Sequence, residues 1–158
     1  MYSIDTSSLI EWWVIRYPPT VFPGIRTKME ELVVQGKLVA SEFVIQELGV
    51  KGDPLFNWAN NQKPLRIPTT QQIANDAAAI VRQFPDLIDP NSRRTQADPF
   101  VIAIAKKSTV IVVTQETPKM AKTSKRRQKK TYIPDVCIAL NIPWISFLQM
   151  MQREKWTF

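Results

Sequence analysis

The hexapeptide Thr109-Val110-Ile111-Val112-Val113-Thr114 constrains the fold more than any other feature of the chain, because it is β-branched at every position and apolar on both alternating faces. Side chains of a strand point alternately to opposite sides, so such a strand can present neither side to water. It belongs inside a parallel sheet covered on both faces. Parallel neighbours must be joined by long crossovers, usually helices. The rest of the chain supplies that alternation. Tyr2–Asp5, Leu38-Val39-Ala40, Leu65-Arg66-Ile67 and Pro143-Trp144-Ile145 read as short strands, the third confined to an edge by Pro64 and Pro68.

Between them lie helical patterns. Thr6-Ser7-Ser8 are capping residues before Leu9, Ile10, Trp12 and Trp13, and Tyr17-Pro18-Pro19 stops that helix. Trp12 and Trp13 cannot both face one core, so one is left to cover the helix base or to meet a partner. Ile25, Met29, Leu32 and Val33 recur at helical spacing ahead of Gly36. Ser41 opens a helix through Leu48 that Gly49 and Gly52 should end, and Asp53 opens another across Leu55, Phe56, Trp58 and Ala59. Thr69 or Thr70 begins the clearest amphipathic helix, with Ile73, Ala77, Ile80, Val81 and Phe84 on one face. After a polar connection over 85–96, Asp98-Pro99 is a strong helix start for the wholly apolar Phe100–Ala105. Ile133–Leu140 and Ser146–Arg153 complete the set. The expectation is one α/β domain over residues 1–158, with a mostly parallel sheet between helical layers.

Composition narrows the chemistry. The 158 residues include no histidine, which excludes Ser-His-Asp and Cys-His sites, histidine-bound zinc and imidazole acid–base pairs. The single cysteine, Cys137, excludes an internal disulfide and suits a reducing, cytoplasmic setting. The longest apolar run, Phe100–Ala105, is far shorter than the roughly 20 residues of a membrane span. Asp5 breaks the N-terminus before a signal region could form. Four glycines and no glycine-rich loop argue against a nucleotide-phosphate cradle.

The net charge of +7 comes from one place. Lys119, Lys122, Lys125, Arg126, Arg127, Lys129 and Lys130 lie in a basic loop over 117–131 without an acid among them, and the rest of the chain balances. Such a block attracts polyanions through counterion release, or serves as a solvated loop or a dock for an acidic partner.

Four acids share an address. Ligand sites of open parallel sheets lie at the carboxyl ends of the strands. Asp5 ends the first strand, Glu116 follows the strongest one, and Asp98 starts the helix leading into it. Glu47 lies three and four residues after Val44 and Phe43, on the apolar face of its helix, where an unpaired carboxylate is costly. Each acid alone has a bland explanation as a cap, turn or surface residue. Together they would repel strongly unless a divalent cation sat between them, and all-oxygen ligation suits Mg²⁺ or Mn²⁺.

With these residues placed, the chain resembles the PIN-domain nucleases. Ile4-Asp5-Thr6-Ser7-Ser8 is similar to their opening motif, Val44-Ile45-Gln46-Glu47-Leu48 to the second, Ala97–Ala103 to the third and Val112-Val113-Thr114-Gln115-Glu116 to the fourth. Ile133-Pro134-Asp135-Val136-Cys137 resembles a segment of a PIN-like subgroup without well-defined biochemistry. The resemblance implies a three-layer α/β/α sandwich with a five-stranded sheet ordered 3-2-1-4-5. It implies Mg²⁺- or Mn²⁺-dependent cleavage of RNA, often by the VapC-type toxin of a toxin–antitoxin pair, with an antitoxin protein as partner and a homodimer as the common assembly. Asp5, Glu47, Asp98 and Glu116 carry over as the acidic site, with Asp5, Asp98 and Glu116 as metal ligands. Thr6, Ser7 and Thr114 carry over as supporting hydroxyls. The long basic loop departs from the family pattern; by its charge, Lys122, Lys125, Arg126, Arg127, Lys129 and Lys130 would guide the RNA. Glu116 departs from the aspartate common at that position, and Asp135 reads at least as well as a helix-start residue. The rival readings are a non-catalytic RNA- or protein-binding module on this fold, and a DNA- or flap-directed nuclease.

Overall fold

A computed structural model of the protein describes residues 1–51, 53–123 and 131–158. The elements run β1 (Tyr2–Ile4), α1 (Thr6–Ile10), α2 (Pro23–Val34), β2 (Leu38–Ser41), α3 (Glu42–Lys51), α4 (Asp53–Asn61), β3 (Arg66–Ile67), α5 (Gln71–Gln83), α6 (Asp98–Ala105), β4 (Ile111–Val113), α7 (Ile133–Ala139), β5 (Trp144–Ile145) and α8 (Phe147–Arg153). All pairings are parallel and the strand order is β3-β2-β1-β4-β5, the expected order. The fold is PIN-like. No helix among the described residues is long and apolar enough to cross a membrane.

The central strand shows how alternation builds two covered faces. Tyr2 and Ile4 point one way and Ser3 the other, yet all three are buried. On the Ser3 side lies α6, which packs on β1, β2 and β4, and the Ser3 hydroxyl donates to the Val101 carbonyl at 2.9 Å. A polar atom buried inside a sheet is thereby satisfied. On the opposite side, the Tyr2 hydroxyl donates to Glu154 at 2.5 Å just after α8, and burial with that carboxylate pushes its pKa up to about 12. Helix α6 is apolar all round because α5 covers its outer side, where Ile73, Ala77 and Ile80 are buried.

Register fixes the site. Tyr2, Ser3 and Ile4 pair with Ile111, Val112 and Val113, and the Asp5 N–H donates to the Val113 carbonyl at 2.9 Å. Asp5 and Thr114 therefore leave the sheet side by side.

Several boundaries differ from expectation for identifiable reasons. The β4 ladder starts at Ile111, because Thr109 sits in the left-handed region (φ 70°) within the turn after α6. Helix α3 continues through Gly49, where a Cβ would lie 3.3 Å from the Phe56 ring; close approach of α4 uses the missing side chain. Gly52, the second expected stop, lies outside the described residues. Trp12 is fully buried between Trp13, Trp58 and Phe147, whereas Trp13 is partly buried and lies edge-on to Trp12 and against Trp58. Trp13 covers the helix base.

Candidate active site

Asp5 is the first residue past β1, and its extended backbone (φ −88°, ψ 156°) turns the chain into α1. The cap of α1 is Asp5, not the Thr6-Ser7-Ser8 run, because the acceptor for the Ser7 N–H must stand one residue before the helix. Its Oδ2 takes the Ser7 hydroxyl at 2.5 Å, the Thr114 hydroxyl at 3.1 Å and the Ser7 N–H at 3.4 Å. Every donor reaching Asp5 among the described residues binds Oδ2, so Oδ1 is left uncommitted. Asp5 is only 3% exposed. Burial first, then the charges of Asp98 and Glu116, push its pKa up to about 7, against the opposing pull of Ser7 and Thr114.

Glu47 is braced at both oxygens. Oε2 accepts the Thr6 hydroxyl at 2.5 Å and Oε1 the Ala97 N–H at 3.0 Å, so α3 holds α1 and the start of α6 together. This satisfies the carboxylate that helical periodicity placed toward the core. Asp98 begins α6, but the cap position belongs to Ala97, whose own side chain makes no capping bond. The bland reading of Asp98 as a cap therefore does not describe it. Glu116 follows β4 by three residues; its Oε2 accepts the Ile133 N–H at 2.8 Å, and its own N–H donates to the Thr114 hydroxyl at 3.1 Å.

Asp5, Thr6, Ser7, Glu47, Asp98 and Glu116 line one cleft of about 370 Å³ at the carboxyl edge of the sheet. The four acids the sequence singles out are thus brought to one place. Thr114 stands behind Asp5, buried, within 3.3 Å of the Ser7 hydroxyl. Asp135 stays outside: it accepts the Tyr132 N–H at 2.8 Å and the Lys119 N–H at 3.0 Å, as the third residue of α7 tying down its start. Of the basic residues, Lys122 donates to the Thr117 hydroxyl at 2.9 Å and lies 4.5 Å over the Tyr132 ring. Lys125, Arg126, Arg127, Lys129 and Lys130 lie outside the described residues.

Two polar lining residues were missed, Gln115 and Glu11, besides the apolar Ile10 and Ile15. Gln115 donates its N–H to the Ser7 hydroxyl at 3.0 Å and accepts the Phe147 N–H at 2.8 Å, pinning the loop after β4. Glu11 is a fifth acid in the cleft, 8% exposed and paired with Arg16. Its position one helical turn after Ser7 was the available signal.

The donor chemistry suits a hard divalent cation: carboxylate oxygens of Asp5, Asp98 and Glu116, without nitrogen or sulfur. Among the described residues, however, no three acidic side chains are already gathered around one point. Holding an ion requires side chains in the cleft to turn toward it.

The fold is shared with the crystal structure of FitAcB from Neisseria gonorrhoeae, at 14% identity, a TM-score of 0.53, and coverage of 94% of this chain and 99% of that one. No curated protein matches the sequence. Residues 2–158 match the family described as a domain of unknown function, DUF4411. The chain belongs to the DUF4411 family, with a PIN-like fold and an acidic cleft at the carboxyl edge of its sheet.

Proposed function

We propose that the protein is a Mg²⁺- or Mn²⁺-dependent endoribonuclease, the toxin of a toxin–antitoxin pair, working through this cleft. The observation that carries the reading is the convergence of Asp5, Glu47, Asp98 and Glu116, with a buried Asp5 whose protonation is driven by burial and by Asp98 and Glu116. Carboxylates that repel one another in a shared cleft are the arrangement a divalent cation relieves. When bound, the ion supplies Lewis acidity toward the phosphate and an acidified water.

Asp5 Oδ1, Asp98 and Glu116 would hold the ion. Ser7 and Thr114 orient Asp5 through Oδ2, and Gln115 fixes Ser7 in turn. Glu47, with both oxygens engaged, acts as a positioning residue that sets Thr6 and the start of α6, and hence Asp98. The basic loop over 117–131 would guide the RNA backbone into the cleft. The motif resemblance supports RNA, an antitoxin and a homodimer as the associated molecules. One observation favours a non-catalytic binding module instead, namely that three acids are not already clustered among the described residues.

Incubation of the purified chain with single-stranded RNA and DNA, in Mn²⁺ or in EDTA, tests these readings. The nuclease reading expects RNA products with 5′-phosphate and 3′-hydroxyl ends in Mn²⁺, none in EDTA, and none from Asp5→Asn or Asp98→Asn. Cyclic-phosphate ends, or cleavage that survives EDTA, would refute it. Binding without cleavage would establish the module.

A further inference from the structure

The Glu11–Arg16 pair owes its existence to an unusual stretch of backbone. Residues Glu11–Arg16 continue α1 in wider π-helical turns, closed by the Tyr17 N–H on the Trp12 carbonyl at 3.2 Å. Residues five apart on an α-helix diverge by about 140°. Turns with i→i+5 bonding return them to the same side. Arg16 Nε thereby reaches Glu11 Oε1 at 2.7 Å. The Glu11 side chain is 10% exposed and lines the acidic cleft, while the Arg16 side chain is 68% exposed and follows directly on Ile15, which also lines it. Of the ion pairs among the described residues, this one alone involves an acid of the cleft.

An ion pair whose arginine is 68% exposed is screened by water and contributes little to stability, so holding the fold together is a poor account of it. Its geometry suits another task. A guanidinium carries five N–H donors in a planar fork, and Glu11 lies against its Nε as a charge contact. The two terminal nitrogens take no acceptor among the described residues and match two oxygens of a phosphodiester. The same edge bears Ile10 and Ile15, which also line the cleft.

We propose that Arg16 is a substrate-binding residue that grips a backbone phosphate of single-stranded RNA beside the cleft, and that Glu11 is the positioning residue holding its guanidinium there. This rests on the nuclease reading and adds a binding subsite to it. By pairing with Glu11, Arg16 keeps that acid from adding to the repulsion an incoming phosphate meets at the cleft.

Fluorescence anisotropy with a short labelled single-stranded RNA and the full chain in EDTA, where no cleavage competes, provides the test. Arg16→Ala should weaken binding about fivefold and reduce the slope of log affinity against log salt by about 0.7, one phosphate contact on a single strand. Arg16→Lys should keep the slope and lose about half the affinity, because charge remains without the fork. Glu11→Gln should weaken binding with the slope retained, and should have no further effect in the Arg16→Ala background. Unchanged affinity and slope in Arg16→Ala, with wild type binding RNA, would overturn this inference and leave the nuclease reading standing. Wild type that neither binds nor cleaves RNA would remove both.

Discussion

Replacing Asp5 by asparagine should make the metal-free protein more stable near neutral pH while destroying its response to metal. The Asp5 carboxyl titrates at about 7 in the folded chain against an ordinary 3.8. At about 1.4 kcal/mol per pKa unit, keeping that group ionised above pH 7 costs the folded state about 4 kcal/mol. The folded chain holds the proton more tightly than the unfolded one, so stability falls as pH rises from about 4 to 7 and levels off above. Asparagine removes the charge but also weakens the bonds from Ser7 and Thr114, a loss of about 1–2 kcal/mol. The net gain is about 2–3 kcal/mol, or about 5–10 °C in Tm for a chain this size. Thermal unfolding in EDTA near pH 8 and near pH 4 measures it; the advantage of Asp5→Asn should be present at the higher pH and vanish at the lower. Adding Mn²⁺ at about a hundred times its Kd should raise wild-type stability by about 2.7 kcal/mol and leave Asp5→Asn nearly unmoved. An Asp5→Asn protein less stable than wild type near pH 8 without metal would refute the electrostatic reasoning.

Further outcomes follow from individual contacts. Glu47→Gln keeps an acceptor for the Ala97 N–H and a partner for the Thr6 hydroxyl, so it should lose less than about 1 kcal/mol in urea unfolding, whereas Glu47→Ala should lose about 1–3 kcal/mol. Asp135→Ala removes the acceptor for the Tyr132 and Lys119 N–H groups and should cost about 1–2 kcal/mol in the same assay. Titration of phenolate absorbance should leave Tyr2 un-ionised at about pH 11, and Tyr2→Phe should abolish that lagging phase; a Tyr2 that ionises near 10 would contradict its burial against Glu154.

The fold was legible because parallel sheets buried on both sides leave a strong mark on sequence. Val112 and Val113 on β4, and Ile4 on β1, are apolar wherever they point, and proline flanks the edge strand β3. The acids at strand ends were legible for the same reason, since their address follows from topology. Features set by tertiary contact or local winding were not. Gly49 looked like a stop because nothing in the sequence announces that Phe56 will pack against it. Thr109 looked like strand because β-branched residues seldom take a positive φ. Glu11 and Arg16 are five apart, a spacing that ordinary helical reasoning separates, so their pairing became visible only with the π-helical turns. Glu47 lay between: its orientation was legible, but not that two donors already satisfy it.

The central place of β1 has a consequence for how the protein comes into being. Asp5 leaves the ribosome well before its partner Thr114, which lies 109 residues downstream. Until β4 emerges and docks beside β1, the nascent chain has only part of its acidic cleft. Glu116 is tethered only when Ile133 follows. Pairings so distant in sequence are slow to close. The acidic cleft is therefore completed only once β4 and Ile133 have both been made, and a translation product ending before Glu116 would lack it.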